Sequence, residues 1–124
     1  MKYLMFVVVD PTGEESDLDV VAWVDDLDAR GVRLEGDRLR PVEDATTVRV
    51  RKGEVIVTDG PFTESKEWIA GYDLLECPSM DEAVAVALKH PMAQQGAIEV
   101  RELWPLDLAD FPSKKDRPVK GAAL

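Results

Sequence analysis

The residues of this sequence that could do chemistry are few, and most lie after residue 58. Asp59 opens the stretch Asp59-Gly60-Pro61-Phe62, which follows an apolar strand candidate. A carboxylate in this place can act as a general base or as a hydrogen-bond acceptor at the rim of a cleft. The stretch is also typical of a tight turn, in which Gly60 permits positive φ, Pro61 restricts the backbone and Phe62 anchors in the core. Both interpretations hold together, because a rigid turn positions a side chain.

Three residues near this stretch are candidates for contact with a small ligand. Lys66 is the best-placed cation and could hold an anionic ligand, although charged loops are usually only solvated. Phe62 could contact the same ligand. Tyr72 lies in the next strand candidate, where its hydroxyl could donate a proton in a cleft or find a partner in the core or at an interface.

His90 and Arg101 complete the set of candidate site residues. His90 ends a predicted helix before Pro91, where the helix dipole favours a cation, and a catalytic role is the alternative. Arg101 shares a strand face with Glu99, so the two form a cross-strand ion pair or line a cleft. The chain has one histidine and one cysteine, which excludes a multi-histidine or multi-cysteine metal site and an intramolecular disulfide. We therefore predict neither a metal nor a cofactor.

Several common chemistries are missing from the sequence. It contains no Gly-x-x-x-x-Gly-Lys phosphate loop, no Gly-x-Gly-x-x-Gly after the first strand and no Gly-x-Ser-x-Gly nucleophile elbow. The 124 residues suffice for one domain, and no apolar run approaches the roughly 20 residues that span a bilayer. The lack of a signal peptide and the single cysteine predict a cytoplasmic protein.

Charge is distributed unevenly along the chain. The formal net charge is -10, and a basic end at residues 112–124, with a net charge of +3, leaves -13 for the rest. Such an acidic body disfavours direct binding to nucleic acid. Eight acidic residues and no basic ones lie between Asp10 and Asp28. They predict a solvated surface, because they lack the spacing and the glycine of a calcium loop.

The hydrophobic pattern predicts an alternation of strands and helices. Residues 2–9 form an apolar strand, and a helix capped by Ser16 or Asp17 ends at Gly31. A second helix begins after Ser79, and the last strand covers residues 97–103. The predicted buried stripes of the two helices are Val20, Trp23, Val24 and Leu27 in the first, and Met80, Ala83, Val84, Ala87 and Leu88 in the second.

The middle of the chain is rich in predicted strands. Residues 32–41 form a short strand or a hairpin with its turn at Gly36-Asp37. Residues 46–51 alternate valine and arginine as a half-buried strand does, and they pair with residues 54–58 in a hairpin. Another strand covers residues 68–76.

This order of elements predicts an α+β fold with an antiparallel sheet and both helices on one face. Two helices cover only one side of a sheet, so the other side needs a partner. A homodimer that packs sheet on sheet provides that cover.

Ordered landmarks along the chain resemble the DGPF branch of the YCII-related family. They include the opening Met1-Lys2-Tyr3-Leu4-Met5, the stretch Asp59-Gly60-Pro61-Phe62, the pair His90-Pro91 and the closing Ile98-Glu99-Val100-Arg101. The resemblance covers residues 1–104 and leaves 105–124 as a C-terminal extension. It implies a ferredoxin-like fold that pairs into a dimeric α/β barrel.

Two functions are consistent with this resemblance. The first is a small-molecule-binding homodimer with a polar cleft, and a possible catalytic set of Asp59, Tyr72 and His90. The alternative is a non-catalytic interaction module linked to extracytoplasmic-function sigma factors. Smaller family members resemble enzymes through a His–Asp pair with the histidine on the first helix. Residues 18–30 here contain no histidine, so that pair is not carried over.

Overall fold

The computed structural model describes residues 1–62 and 66–111, so the basic end at 112–124 lies outside the described residues. The strands and α-helices follow the predicted order of a strand, a helix, several strands, a helix and a strand, with a short α-helix added before the last strand. In chain order they are β1 (Lys2–Val9), α1 (Val20–Ala29), β2 (Arg33–Arg38), β3 (Thr46–Arg51), β4 (Glu54–Asp59), β5 (Trp68–Glu76), α2 (Met80–Ala87), α3 (Met92–Gln95) and β6 (Ala97–Glu102).

The main sheet has four antiparallel strands in the order β2-β5-β1-β6. β1 is central, since it pairs with β5 on one side and with β6 on the other. β3 and β4 pair only with each other, as a separate hairpin. This α+β architecture is consistent with a ferredoxin-like fold and confirms the predicted antiparallel sheet.

The core lies between the helices and one face of the sheet. Tyr3 and Met5 of β1 and Leu75 of β5 are fully buried there. They pack with four helix residues, which are Trp23, Leu27, Ala83 and Ala87. Consecutive strand residues point to opposite faces, so the neighbours of these strand residues form a second face without helices. We call this the open face and define it by Leu4, Phe6, Tyr72 and Leu74, all of them half-buried.

The first helix begins later than predicted. Asp19, not Ser16 or Asp17, caps it by accepting a hydrogen bond from the backbone N–H of Val21 at 2.9 Å. Its end is the predicted one: Gly31 has a φ of +69°. Val32 N–H donates to Leu27 O at 2.9 Å, which completes a glycine-terminated Schellman cap.

Residues 33–38 form one continuous strand, so the predicted short strand is correct and its alternative, a hairpin with a turn at Gly36-Asp37, is not. Gly36 serves close packing instead of a turn. A Cβ atom at this position would collide with Asp73 Oδ1 and with Arg33 Nη2. Glycine is therefore needed here because two side chains occupy the space above it.

Two predicted buried stripes are more exposed than expected. In the hairpin, four valines share one face and are 57–67% exposed, whereas Arg49 on the other face is half-buried. These valines are Val48, Val50, Val55 and Val57. On α2 only Ala83 and Ala87 of the predicted stripe are buried, while Leu88 is 65% exposed. The sequence correctly predicted which residues share a face. Periodicity alone does not show which element, if any, packs against that face.

Candidate functional site

A cavity of about 550 Å³ opens between α1, the sheet and the segment that follows α2. We call it the helix-side cavity. Its apolar wall is formed by six side chains, which are Val7, Val20, Trp23, Val24, Leu39 and Met92. Arg33, Arg38, Asp73 and His90 add polar groups to the lining. A mostly apolar cavity of this size with a few polar groups is typical of a small-molecule site.

Arg33 is the centre of a hydrogen-bonded cluster in the cavity wall. Its Nε donates to Asp73 Oδ1 at 2.7 Å, and its Nη1 donates to Asp28 Oδ1 at 3.2 Å. Its Nη2 donates to the carbonyl oxygen of Gly36 at 2.9 Å. The side chains of Arg33 and Asp73 are only 16% and 9% exposed, so this pair is largely removed from water.

Burial dominates the titration of the Asp73 carboxyl. Desolvation raises the pKa of Asp73 above its usual range, while the hydrogen bond and charge of Arg33 act in the opposite direction. The Arg33 guanidinium therefore compensates part of the cost of a buried carboxylate. Both groups are committed to each other and contribute structure more than free binding capacity.

His90 lies against Trp23 at the other side of the cavity. The two rings form an edge-to-face contact with centroids 4.7 Å apart, and Trp23 Nε1 donates to Val86 O at 3.0 Å. The backbone N–H of Met92 donates to His90 Nδ1 at 3.0 Å. Burial lowers the pKa of His90, so the ring is neutral at pH 7 and its proton sits on Nε2. His90 lines the cavity, and Nε2 is its ring nitrogen without a hydrogen-bond partner among the described residues.

The buried, neutral His90 makes stability depend on pH. Because the pKa of His90 is lower in the folded than in the unfolded protein, its contribution to the free energy of unfolding is complete above the unfolded pKa of about 6.5. That contribution is lost as the pH falls below this value. We expect the free energy of unfolding, measured by urea denaturation, to decrease more between pH 7.5 and 5.5 for the wild type than for His90→Gln. Equal decreases in the two proteins would contradict this assignment.

The structure brings two of the predicted site residues to this cavity and leaves four elsewhere. His90 and Tyr72 line it. Strand alternation points the Tyr72 ring away from Asp73, towards the open face, so Tyr72 contributes mainly backbone. Arg101 of β6 pairs with Leu4 of β1, so its side chain lies on the open face. It forms no ion pair there with any described residue.

The other three predicted site residues lie on or after the hairpin. Asp59 ends β4 and is exposed, and Gly60 follows it with a φ of +102°. Phe62 is 68% exposed instead of anchored in the core, and its ring lies 4.9 Å from the guanidinium carbon of Arg49. Lys66 is exposed as well. None of the three lines the helix-side cavity.

Sequence reasoning missed the charged residues that do line the cavity. Asp73 sits between hydrophobic neighbours in β5, at the position that alternates onto the core face with Leu75. An acidic residue at such a position requires a buried cation or a hydrogen-bond donor. That signal was present in the sequence, but its partner Arg33 lies 40 residues away, on the neighbouring strand.

Three further features of residues 1–62 and 66–111 concern metal ligands, membrane-spanning helices and the cysteine. Within these residues, no group of three or more His, Cys, Asp and Glu side chains is placed to hold a metal ion. No helix in the described part of the chain is long and apolar enough to cross a membrane. The thiol of Cys77 is buried, and desolvation raises its pKa, which disfavours the reactive thiolate.

Comparison with known proteins gives a matching family model and an uncharacterised relative. A family model described as the YCII-related domain matches residues 1–107. An uncharacterised protein from Rhizobium meliloti is 42% identical over 78 residues, which cover 61% of this chain and 63% of the relative. The match therefore spans less than two thirds of that relative's length.

Proposed function

The chain belongs to the YCII-related family, and from that premise we propose that it binds a small organic molecule in the helix-side cavity. One observation carries the proposal: a roughly 550 Å³ apolar cavity presents a neutral histidine with one unoccupied ring nitrogen. The Arg33–Asp73 pair gives this cavity a fixed wall, because each group is held by the other. A catalytic step would rest on His90, since Asp59 lies away from the cavity.

The experiment fills the cavity with a larger side chain at one position of α1 and leaves the rest of the helix unchanged. Val24 lines the cavity, whereas Val21 on the same helix is 62% exposed and does not. We expect a panel of small aromatic and aliphatic compounds to include binders that raise the wild-type melting temperature by several degrees at about 100 times Kd. Val24→Trp is expected to abolish these shifts, and Val21→Trp to preserve them.

Two outcomes would contradict binding in this cavity. One is a panel without any binder to the wild type, and the other is unchanged binding to a folded Val24→Trp variant. The Asp59-Gly60-Pro61-Phe62 stretch supports assignment to the DGPF branch. An Asp59→Asn variant tests whether this stretch forms the binding site instead. Loss of binding in that variant would move the site to the end of β4.

We further propose that the protein is a homodimer that buries the open face against a second copy. Leu4 pairs with Leu74, and Phe6 with Tyr72, so the centre of this face is apolar. Glu35, Leu74, Leu4 and Arg101 lie side by side across the four strands, so this row has Glu35 at one edge of the sheet and Arg101 at the other. A second copy turned about an axis parallel to the strands would place Glu35 opposite the partner's Arg101, which favours the contact in this row. In the row of Phe6 the same rotation places Asp37 opposite the partner's Glu99, so the apolar centre supplies most of the stabilisation.

An acidic surface supports a second candidate, an interaction module for a basic protein such as an extracytoplasmic-function sigma factor in the cytoplasm. Asp17, Asp19, Asp25, Asp26 and Asp28 are all exposed on or just before α1. Such a surface speeds association with a basic partner. Titration with the purified sigma factor should then give a salt-dependent affinity that Asp25→Asn/Asp26→Asn weakens. An undetectable complex at low salt would exclude this candidate.

A further inference from the structure

Two side chains that line the helix-side cavity, His90 and Arg38, carry hydrogen-bond donors that no described residue accepts, and these donors restrict the ligand. The inference rests on the proposed binding function and asks which chemical class that cavity accepts. Arg33 has donated from Nε, Nη1 and Nη2 to Asp73, Asp28 and Gly36. Asp73 has accepted from Arg33. These groups are satisfied by each other and do not need a ligand.

His90 supplies the first free donor. Its Nδ1 accepts the backbone N–H of Met92, which fixes the proton of the neutral ring on Nε2. His90 is only 5% exposed and lines the cavity. No described residue accepts from this N–H group, so a ligand that brings an acceptor can hydrogen-bond to it.

Arg38 supplies the second free donor and is the only cavity-lining cation, among the described residues, that has no ion pair. β2 pairs Gly36 with Asp73 and Arg38 with Gly71, so Arg38 is on the helix-covered face of the strand. Asp37 lies between them and also borders the cavity, but strand alternation directs its side chain towards the other face and it forms no ion pair with Arg38. Its carboxylate therefore does not neutralise Arg38 inside the cavity.

We infer that the helix-side cavity accepts an organic monocarboxylate with an apolar body. The carboxylate would accept from His90 Nε2–H and from the Arg38 guanidinium, which suits planar carboxylates. The body would pack against Trp23, Val20 and Val24. A single negative charge fits better than a phosphate ester, because the chain carries a net charge of -10 and repels multiply charged anions.

The test compares three probes that share one skeleton: phenylacetate, 2-phenylacetamide and phenethylamine. Binding is followed by calorimetry, and by the ¹⁵N resonances of the His90 ring. We expect phenylacetate to bind the wild type with a Kd at least roughly tenfold below those of the amide and the amine. It should also shift the Nε2 resonance of His90, which ties the affinity to this cavity.

Variants then separate the charge of Arg38 from the general cavity. Arg38→Gln is expected to weaken phenylacetate roughly tenfold and to leave the amide unchanged, while Arg51→Gln on the exposed hairpin changes neither. Preference for the amine, equal affinity for all three probes, or no effect of Arg38→Gln would overturn the inference. If phenylacetate fails while other panel compounds bind in a Val24-dependent way, the class is wrong and the binding function stands. If the whole panel fails, both are wrong.

Discussion

Replacing Arg33 by methionine is expected to lower the free energy of unfolding by about 3–5 kcal/mol, the usual cost of breaking a buried ion pair from one side. The substitution removes the guanidinium that donates to Asp73 at 2.7 Å and leaves a carboxylate that is only 9% exposed. It also leaves the carbonyl of Gly36 without its donor. Urea denaturation at pH 7 measures the loss.

Two further variants show whether burial is the reason. Arg33→Met/Asp73→Leu removes both charges, so its stability should return close to that of the wild type. Arg40→Met breaks the Arg40–Asp44 pair, in which Arg40 is 85% exposed, and is expected to cost about 0–1 kcal/mol. A loss below about 1 kcal/mol for Arg33→Met would show that water reaches Asp73 and that the cavity wall is not rigid.

The second large effect is expected on the oligomeric state. Phe6 lies at the centre of the open face, and Phe6→Asp would place two symmetry-related carboxylates inside the proposed dimer contact. Since a buried unpaired charge is costly, we expect the dissociation constant of the dimer to rise roughly 100-fold or more. Sedimentation equilibrium over a range of concentrations measures this change, and circular dichroism confirms that the monomer is folded.

Val48→Asp is the matched control, because it adds the same charge to an exposed apolar face of the hairpin. It should leave the dimer intact. Dissociation by Val48→Asp alone would assign the interface to the hairpin instead. If Phe6→Asp does not fold, the charge reversals Glu35→Arg and Arg101→Glu replace it: each should weaken the dimer, and the double variant should restore it. A monomeric wild type would reject the dimer altogether.

Local patterns were sufficient to predict most of the fold. β1 follows from an unbroken apolar run, and the β3–β4 hairpin and β6 follow from short-range alternation. The Ser79 cap and Gly31 act through neighbouring backbone groups. The sequence left residues 32–41 open between a short strand and a hairpin with a turn at Gly36-Asp37, because glycine has two uses, a turn and a close approach. Only the Asp73 and Arg33 side chains, supplied by tertiary structure, distinguish them.

The candidate site was harder to predict because it depends on contacts between distant segments. His90 was identified as chemically interesting, yet its state is set by Trp23, 67 positions earlier, and by the backbone of Met92. Asp59 attracted attention through a local motif, and a motif alone does not show which cavity a residue faces. Exposure of the hairpin valines was equally out of reach, since alternation defines two faces but not which one is covered.

The position of β1 at the centre of the sheet has a consequence for synthesis on the ribosome. Its two neighbours, β5 and β6, come from residues 68–76 and 97–102. When synthesis has reached residue 60, the most apolar strand, β1, has been synthesised but neither of the strands that pair with it has. Non-local pairing of this kind closes long loops and folds slowly. β1 therefore remains unpaired and accessible to chaperones or to other chains until nearly the whole domain has emerged from the ribosome.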